Sequence, residues 1–432
     1  MSIILNISPL VRILIVFVLI LAAIRKNVSL GNAFFLGALL IGVFFGLPPG
    51  AMARSIIGSI VMPKTLSLAL LVTLILVLSS SMELGGHMER LLKNFRGLVK
   101  NPRLNLAMFP ALIGLLPMPG GAIFSAPMVK ELESRNGLRP DQLSFINYWY
   151  RHLWEYWWPL YPGILLAVTL ADIDLGILIL IMWPFTIIAF FAGSLSIKGS
   201  DLNHIVQSED PRPPVGPFLK ELTPILMVIC LGLGGGILIS YLFPGYQIAK
   251  ETGLIIALIL AILYIWHQTG WQGDTIRKIV RGPHLMRMFY MVIAILIFKG
   301  MLQDSHAVEA ISREFTDLSV PLVLITVILP FIVGGITGIS IALVGSTFPI
   351  IIPLVYSTGE GFFMPAYVML AIVNGLIGMF LSPLHVCFLL SNQYFGTTFG
   401  RVYKHLILPC ISLFVTSVIY FLGLHWVMSR FF

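Results

Sequence analysis

Charge is what this chain has least of: 27 Lys and Arg and 19 Asp and Glu in 432 residues, or 11%, against roughly a quarter in a soluble domain. Apolar residues make up 58%, and the mean hydropathy is +0.95. That balance excludes a cytosolic enzyme, a disordered chain and a fibrous protein, leaving a polytopic membrane protein. Cysteine is scarce too. Cys230, Cys387 and Cys410 lie inside apolar runs without CxxC spacing, so neither a disulfide framework nor a metal site follows, and they read as small buried hydrophobes. HExxH, a Walker loop, GxSxG in a strand-to-helix turn and a DxD-type metal pair are all missing. Hydrolysis and ATP-driven pumping have nothing to act with, so the chain reads as neither an enzyme nor a cofactor binder. The net charge of +8 comes without a basic stripe interleaved with aromatics. It fits Lys and Arg in cytoplasmic loops and excludes nucleic acid as a partner.

What is abundant is the apolar run. Spans are expected near 8–24, 30–47, 65–83, 142–170 and 174–197, and again near 218–243, 250–267, 285–302, 364–392 and 405–430. The first run is followed, not preceded, by its charges Arg25 and Lys26, and so reads as a retained span instead of a signal peptide. Two further apolar stretches, 104–129 and 320–355, are broken in the middle by Gly and Pro. If both are re-entrant hairpins, ten spans remain, and 19 of the 27 Lys and Arg fall in loops on one side. The positive-inside rule makes that side cytoplasmic and puts both termini outside a cell membrane, the inner one where there are two.

The one long polar, Pro-rich stretch, residues 198–217, divides the chain near its midpoint and reads as a cytoplasmic linker. Residues 1–197 and 218–432 then hold five spans and one hairpin each. Five is odd, so the second half enters the membrane the opposite way up. The expected fold is an all-α polytopic membrane protein of about ten transmembrane helices plus two re-entrant hairpins in an inverted repeat, a pattern of secondary transporters with a midplane substrate site.

The two broken stretches echo each other. Pro110 with Gly114 matches Pro330 with Gly334, and Ser125-Ala126-Pro127 matches Thr347-Phe348-Pro349, at offsets of 220 and 222 residues. Helices are not expected to run through PMPGG or GGITG, so backbone groups are freed at membrane depth, where each unpaired one costs several kcal/mol. A substrate, an ion or water would meet them, and half-helix N-termini suit an anion. The competing reading is an ordinary kinked span with Gly for close packing. The span after each hairpin looks interrupted as well, by Pro159 and Pro162 in one and by Ser382-Pro383 in the other. Candidate substrate contacts are Gly120, Gly121, Gly338 and Ser340 at the breaks, Ser125, Ser346 and Thr347 beside them, and Asn147, Asn374 and Ser382 in the following spans. Arg151, Glu155 and His385 are candidates for coupling or charge, because ionisable groups inside a span are costly enough to be functional by default. Arg151 and Glu155, four apart, could instead neutralise each other beside an aromatic belt. His152 reads as a satisfied buried imidazole, and Lys299 as close enough to the outer end to snorkel.

The motifs PMPGGAIFSAP, RHLWEYWWPLYPG and SPLHVCFLLSNQYFG together resemble the uncharacterised prokaryotic membrane family called "domain of unknown function 401", grouped with the ion transporter superfamily. The resemblance covers nearly the whole chain. It implies about ten spans, a scaffold, and a moving transport domain with two opposed hairpins, as in divalent anion/sodium symporters, gluconate and dicarboxylate permeases, citrate and arsenite carriers and some sodium/proton antiporters. By that similarity the site forms around Ser125, Thr347, Asn147 and Asn374, and a homodimer through the scaffold is the oligomer implied. The Ser-Asn-Thr signature of the sodium symporters is missing at both hairpins. The function expected is secondary active transport of a small organic anion, a carboxylate or sugar acid, coupled to protons or sodium, by elevator-like movement. The alternative is a sodium/proton antiporter of the same architecture in which Glu155 titrates.

Overall fold

The computed structural model describes residues 7–99, 101–118, 120–131, 138–197, 212–317 and 320–431. Most of the expected linker, 198–211, lies outside the described residues, as do Lys100, Pro119 and Arg135. Among the described residues every regular element is a helix. In the first half these are α1 Pro9–Arg25, α2 Leu30–Phe44, α3 Pro49–Val61, α4 Pro63–Leu84, α5 His87–Phe95, α6 Pro102–Gly114, α7 Ala122–Glu131, α8 Pro140–Arg151, α9 Pro162–Ala171, α10 Leu175–Met182 and α11 Pro184–Ser196. The second half holds α12 Val215–Leu242, α13 Ala249–Thr269, α14 Gly273–Val280, α15 Pro283–Asp304, α16 Ala307–Asp317, α17 Leu322–Thr337, α18 Ser340–Ser357, α19 Met364–Phe380, α20 Val386–Phe395 and α21 Phe399–Phe431. Eight of the described helices are long and apolar enough to cross a bilayer, and shorter apolar helices accompany them. The chain is a multi-pass membrane protein that contacts lipid.

Local chemistry sets the boundaries. Proline opens α1, α3, α4, α8, α9, α11 and α15, where its missing N–H is no loss. Ser8, Ser29 and Asp174 cap the free N–H groups of α1, α2 and α10.

The halves share a spacing. Helices α4 and α15 are each 22 residues long and start 220 residues apart, at Pro63 and Pro283. The same interval separates the starts of α5 and α16 and of α6 and α17. Partners are exchanged in the same way: α2 packs on α15 and α13 on α4; α1 packs on α16 and α12 on α5; α9 packs on α18 and α20 on α7.

Helices α1 to α5 and α12 to α16 pack mainly among themselves, and the broken elements α6 to α11 and α17 to α21 form a second group. Neither Gly- and Pro-rich stretch is an unbroken rod. Helices α6 and α7 pack against each other across residues 115–121, and α17 and α18 across Gly338 and Ile339. At 13 and 10 residues, the first pair are both well short of the ~20 residues a span needs. The expected break at GGITG is corrected in part. Helix α17 runs through Gly334 and Gly335 to Thr337 and stops only at Gly338, with φ +63°. Gly334 serves close packing: a Cβ there would lie 2.1 Å from the Gly375 carbonyl oxygen of α19, so backbone meets backbone as in small-residue membrane interfaces.

Candidate functional site

The span after each hairpin is broken as its prolines suggest. Helix α8 ends at Arg151 and the chain resumes as α9 at Pro162; α19 ends at Phe380 and resumes as α20 at Val386. The breaks bring four helix starts, those of α7, α9, α18 and α20, to the wall of one cavity of about 370 Å³. Gly120, Arg151, Glu155, Gly338, Ser340 and His385 line it, together with His152, Tyr161 and Cys387. The opposite wall comes from the first group of helices: Leu30 of α2, Leu76 of α4, and His284, Met288 and Met291 of α15. Free N–H groups at helix starts and the aligned backbone dipole make each of the four ends favourable to negative charge.

Arg151 is 3% exposed. Its Nη2 donates to the Met118 carbonyl at 2.6 Å, whereas its Nε has no partner among the described residues. No carboxylate hydrogen-bonds to it among the described residues. Glu155 is buried with Oε2 unpartnered, 3.9 Å from His152 Nε2. Gly121 lies outside the cavity wall, yet a Cβ there would meet Arg151 Nη2 at 2.2 Å, so a larger residue would require the guanidinium to shift.

The other candidates lie elsewhere. Ser125 Oγ donates to Asn147 Oδ1 at 2.6 Å, and Asn147 Nδ2 donates to Ser391 Oγ and the Ala122 carbonyl at 2.9 and 3.0 Å. That triad ties α7, α8 and α20 together. Asn374 does not mirror it: Nδ2 donates to Leu370 in its own helix at 2.8 Å and to Ser417 of α21 at 3.3 Å. Ser346 and Thr347 donate back to the Ala342 and Leu343 carbonyls within α18, and Ser382 accepts from the Leu384 N–H in the turn before α20. Lys299 Nζ donates to the Leu170 carbonyl at 3.3 Å and lines a second cavity of about 850 Å³ with Lys64, Asp172 and Arg313.

Aromatic residues of RHLWEYWWPLYPG hydrogen-bond to the end of α6. Trp154 and Trp158 donate their indole N–H groups to the carbonyls of Ala111 and Leu115, and Tyr161 donates its hydroxyl to that of Gly114. Those carbonyls are the ones α6 frees by ending at Gly114. Side chains, not cargo, satisfy this end of the break. Residues 152–161 form turns between α8 and α9, so no helical periodicity in the sequence points to these contacts.

The first-hairpin motif and the aromatic motif thus form one hydrogen-bonded unit, closed by His385 from the third. A family description, "Protein of unknown function (DUF401)", matches residues 5–424. The chain belongs to that family. Compared with curated proteins it has no match. In this DUF401 member sequence reasoning missed His152 and Cys387. His152 Nδ1 faces the Tyr148 carbonyl at 2.7 Å, His385 Nδ1 faces the Gly338 carbonyl at 2.7 Å, and the two Nε2 atoms lie 3.0 Å apart. No spacing rule joins residues 233 apart; only the meeting of the two broken spans does.

Proposed function

We propose that this protein is a secondary active transporter of a small organic anion, a carboxylate or sugar acid, bound in the cavity between the two helix groups. The observation that carries the reading is the convergence of four helix starts and a buried arginine with no hydrogen-bonded carboxylate on one 370 Å³ space. Each feature favours negative charge, and together they make an occupant more acceptable than a void. The equal 220-residue spacing and the exchanged packing partners support an inverted repeat whose hairpins are re-entrant, and the ion transporter superfamily is the grouping that this architecture suits.

The second cavity supports alternating access. Met291 borders the first and Lys299 the second, and eight residues of helix place them about 12 Å apart along α15. With the loops before α2 and α15 cytoplasmic, as the distribution of Lys and Arg indicates, the first cavity faces inward and both termini lie outside. The broken elements then move against α1 to α5 and α12 to α16. The test is uptake of radiolabelled carboxylates and sugar acids into proteoliposomes under a proton gradient and, separately, a sodium gradient. Saturable uptake driven by one of them is expected; flux indifferent to both would overturn coupled transport. One observation favours a sodium/proton antiporter instead, the buried Glu155 with an unpartnered oxygen among the described residues. A Glu155→Gln protein that exchanges cations at full rate would dispose of it.

A further inference from the structure

We propose that His152, His385 and Cys387, which the two broken spans bring together, form a binding site for one divalent transition-metal ion of the zinc type. The imidazole Nε2 atoms and the Cys387 Sγ all lie within 4.8 Å of one another, and all three residues are buried. A backbone carbonyl only accepts, so His152 Nδ1 must donate to Tyr148 and His385 Nδ1 to Gly338. Both Nε2 atoms of the neutral rings are then lone pairs, and they point at each other across 3.0 Å. Two lone pairs at that distance repel unless a cation stands between or beside them. The donated Nδ1–H bonds are also the outer contacts that fix tautomer and ring orientation in metal sites.

A bridging proton would satisfy the two rings, with the Cys387 thiol a hydrogen-bond partner of both. A zinc-type ion uses all three donors, because two imidazoles and a thiolate are a matched N/S set. Zn–N bonds of about 2.0–2.1 Å at a tetrahedral angle put the nitrogens ~3.3 Å apart, a widening of about 0.3 Å from their present separation. All three donors line the cavity, and the unpartnered Oε2 of Glu155 lies 3.9 Å from His152 Nε2. Binding exchanges the thiol proton and the bridging proton for one divalent ion, so the buried charge is unchanged. The site shares the wall of the proposed anion cavity, but its test does not depend on transport.

The experiment is a Co²⁺ titration of the purified full-length protein in detergent, stripped beforehand with chelator. One ion per chain is expected, with visible bands of a four-coordinate ion and a near-ultraviolet thiolate-to-cobalt band. Cys387→Ser should lose the thiolate band, and His385→Gln should weaken binding by on the order of 100-fold or more, since even outer contacts are worth about 10- to 100-fold. Cys410→Ser removes another buried thiol and should change neither. Zinc-loaded wild-type protein should show one sulfur and two nitrogen neighbours by X-ray absorption, a result independent of how well any variant folds. Absence of saturable cobalt binding, meaning that the rings share only a proton, would overturn the proposal. So would a complete spectrum in Cys387→Ser.

Discussion

Replacing Arg151 by glutamine distinguishes a side chain kept for the cargo from one kept for the fold. In the structure the guanidinium donates once, to Met118, and no described carboxylate hydrogen-bonds to it. Loss of that hydrogen bond costs about 1.5–3 kcal/mol. Against this, a buried cation without a counterion carries a desolvation penalty of several kcal/mol that glutamine does not. The two terms offset each other or favour the variant. In the absence of anion, the thermal midpoint of Arg151→Gln should therefore equal or exceed that of the wild type. Binding should behave oppositely. One charge-assisted contact to a carboxylate is worth about 1.5–3 kcal/mol, so affinity should fall about 10- to 150-fold. Both quantities come from one assay, the thermal midpoint measured against rising concentrations of a carboxylate panel, because a ligand that binds only the folded state raises apparent stability. A midpoint lowered by several degrees with an intact anion-dependent shift would show that Arg151 holds the hairpin tip and nothing more.

Packing and polar ties give further expectations. Gly378→Ala would place a Cβ 2.0 Å from the Phe331 carbonyl oxygen, forcing α17 and α19 apart at a cost of at least about 1–3 kcal/mol. Gly335→Ala, with its nearest contact at 3.7 Å, should be spared, and thermal unfolding in detergent compares them. Asn147→Ala breaks three bonds that join α7, α8 and α20 and should cost about 3 kcal/mol at ~1 kcal/mol each. Asn374→Ala breaks only two, one of them within its own helix, and should cost less. The α9–α10 loop is tied to the other helix group by Asp172 to Lys64 and Asp174 to Lys250. Burial pushes the Asp174 carboxyl up, but hydrogen bonding to Lys250 leaves it below the usual aspartate range. The tie therefore stabilises the protein above the ordinary carboxylate value and is lost as pH falls through the lowered one. The pair is partly exposed, so Asp174→Asn should shift stability at neutral pH by under ~1 kcal/mol and remove that acid dependence. Midpoints measured at neutral pH and below pH ~4 check both statements.

The residues near the breaks divide by what fixes them. Pro110 and Pro330 stand at the same place in α6 and α17, and Pro162 and the Ser382-Pro383 turn mark real helix ends, because proline acts on its own backbone whatever surrounds it. Gly334 misleads for the complementary reason. Glycine tolerates a helix and equally a break, and the neighbouring backbone of α19 decides between them. Arg151 stands out in any sequence reading as a charge in an apolar run, yet whether Glu155 neutralises it depends on side-chain directions around the break in the chain. Ser346 and Thr347 lie inside α18, where its own carbonyls accept from their hydroxyls.

Composition and apolar runs by themselves determined that the chain lies in a membrane as helices, since hydrocarbon admits no unpaired backbone and the arithmetic of length and hydropathy needs no partner. Proline placement marked where many of those helices begin. Tertiary structure alone decided which polar groups meet: the facing imidazoles of His152 and His385, the indoles that cap α6, and the four helix starts around Arg151. Each of these pairs residues far apart in the chain, and a contact between distant segments is fixed by how helices pack, not by any interval along the sequence.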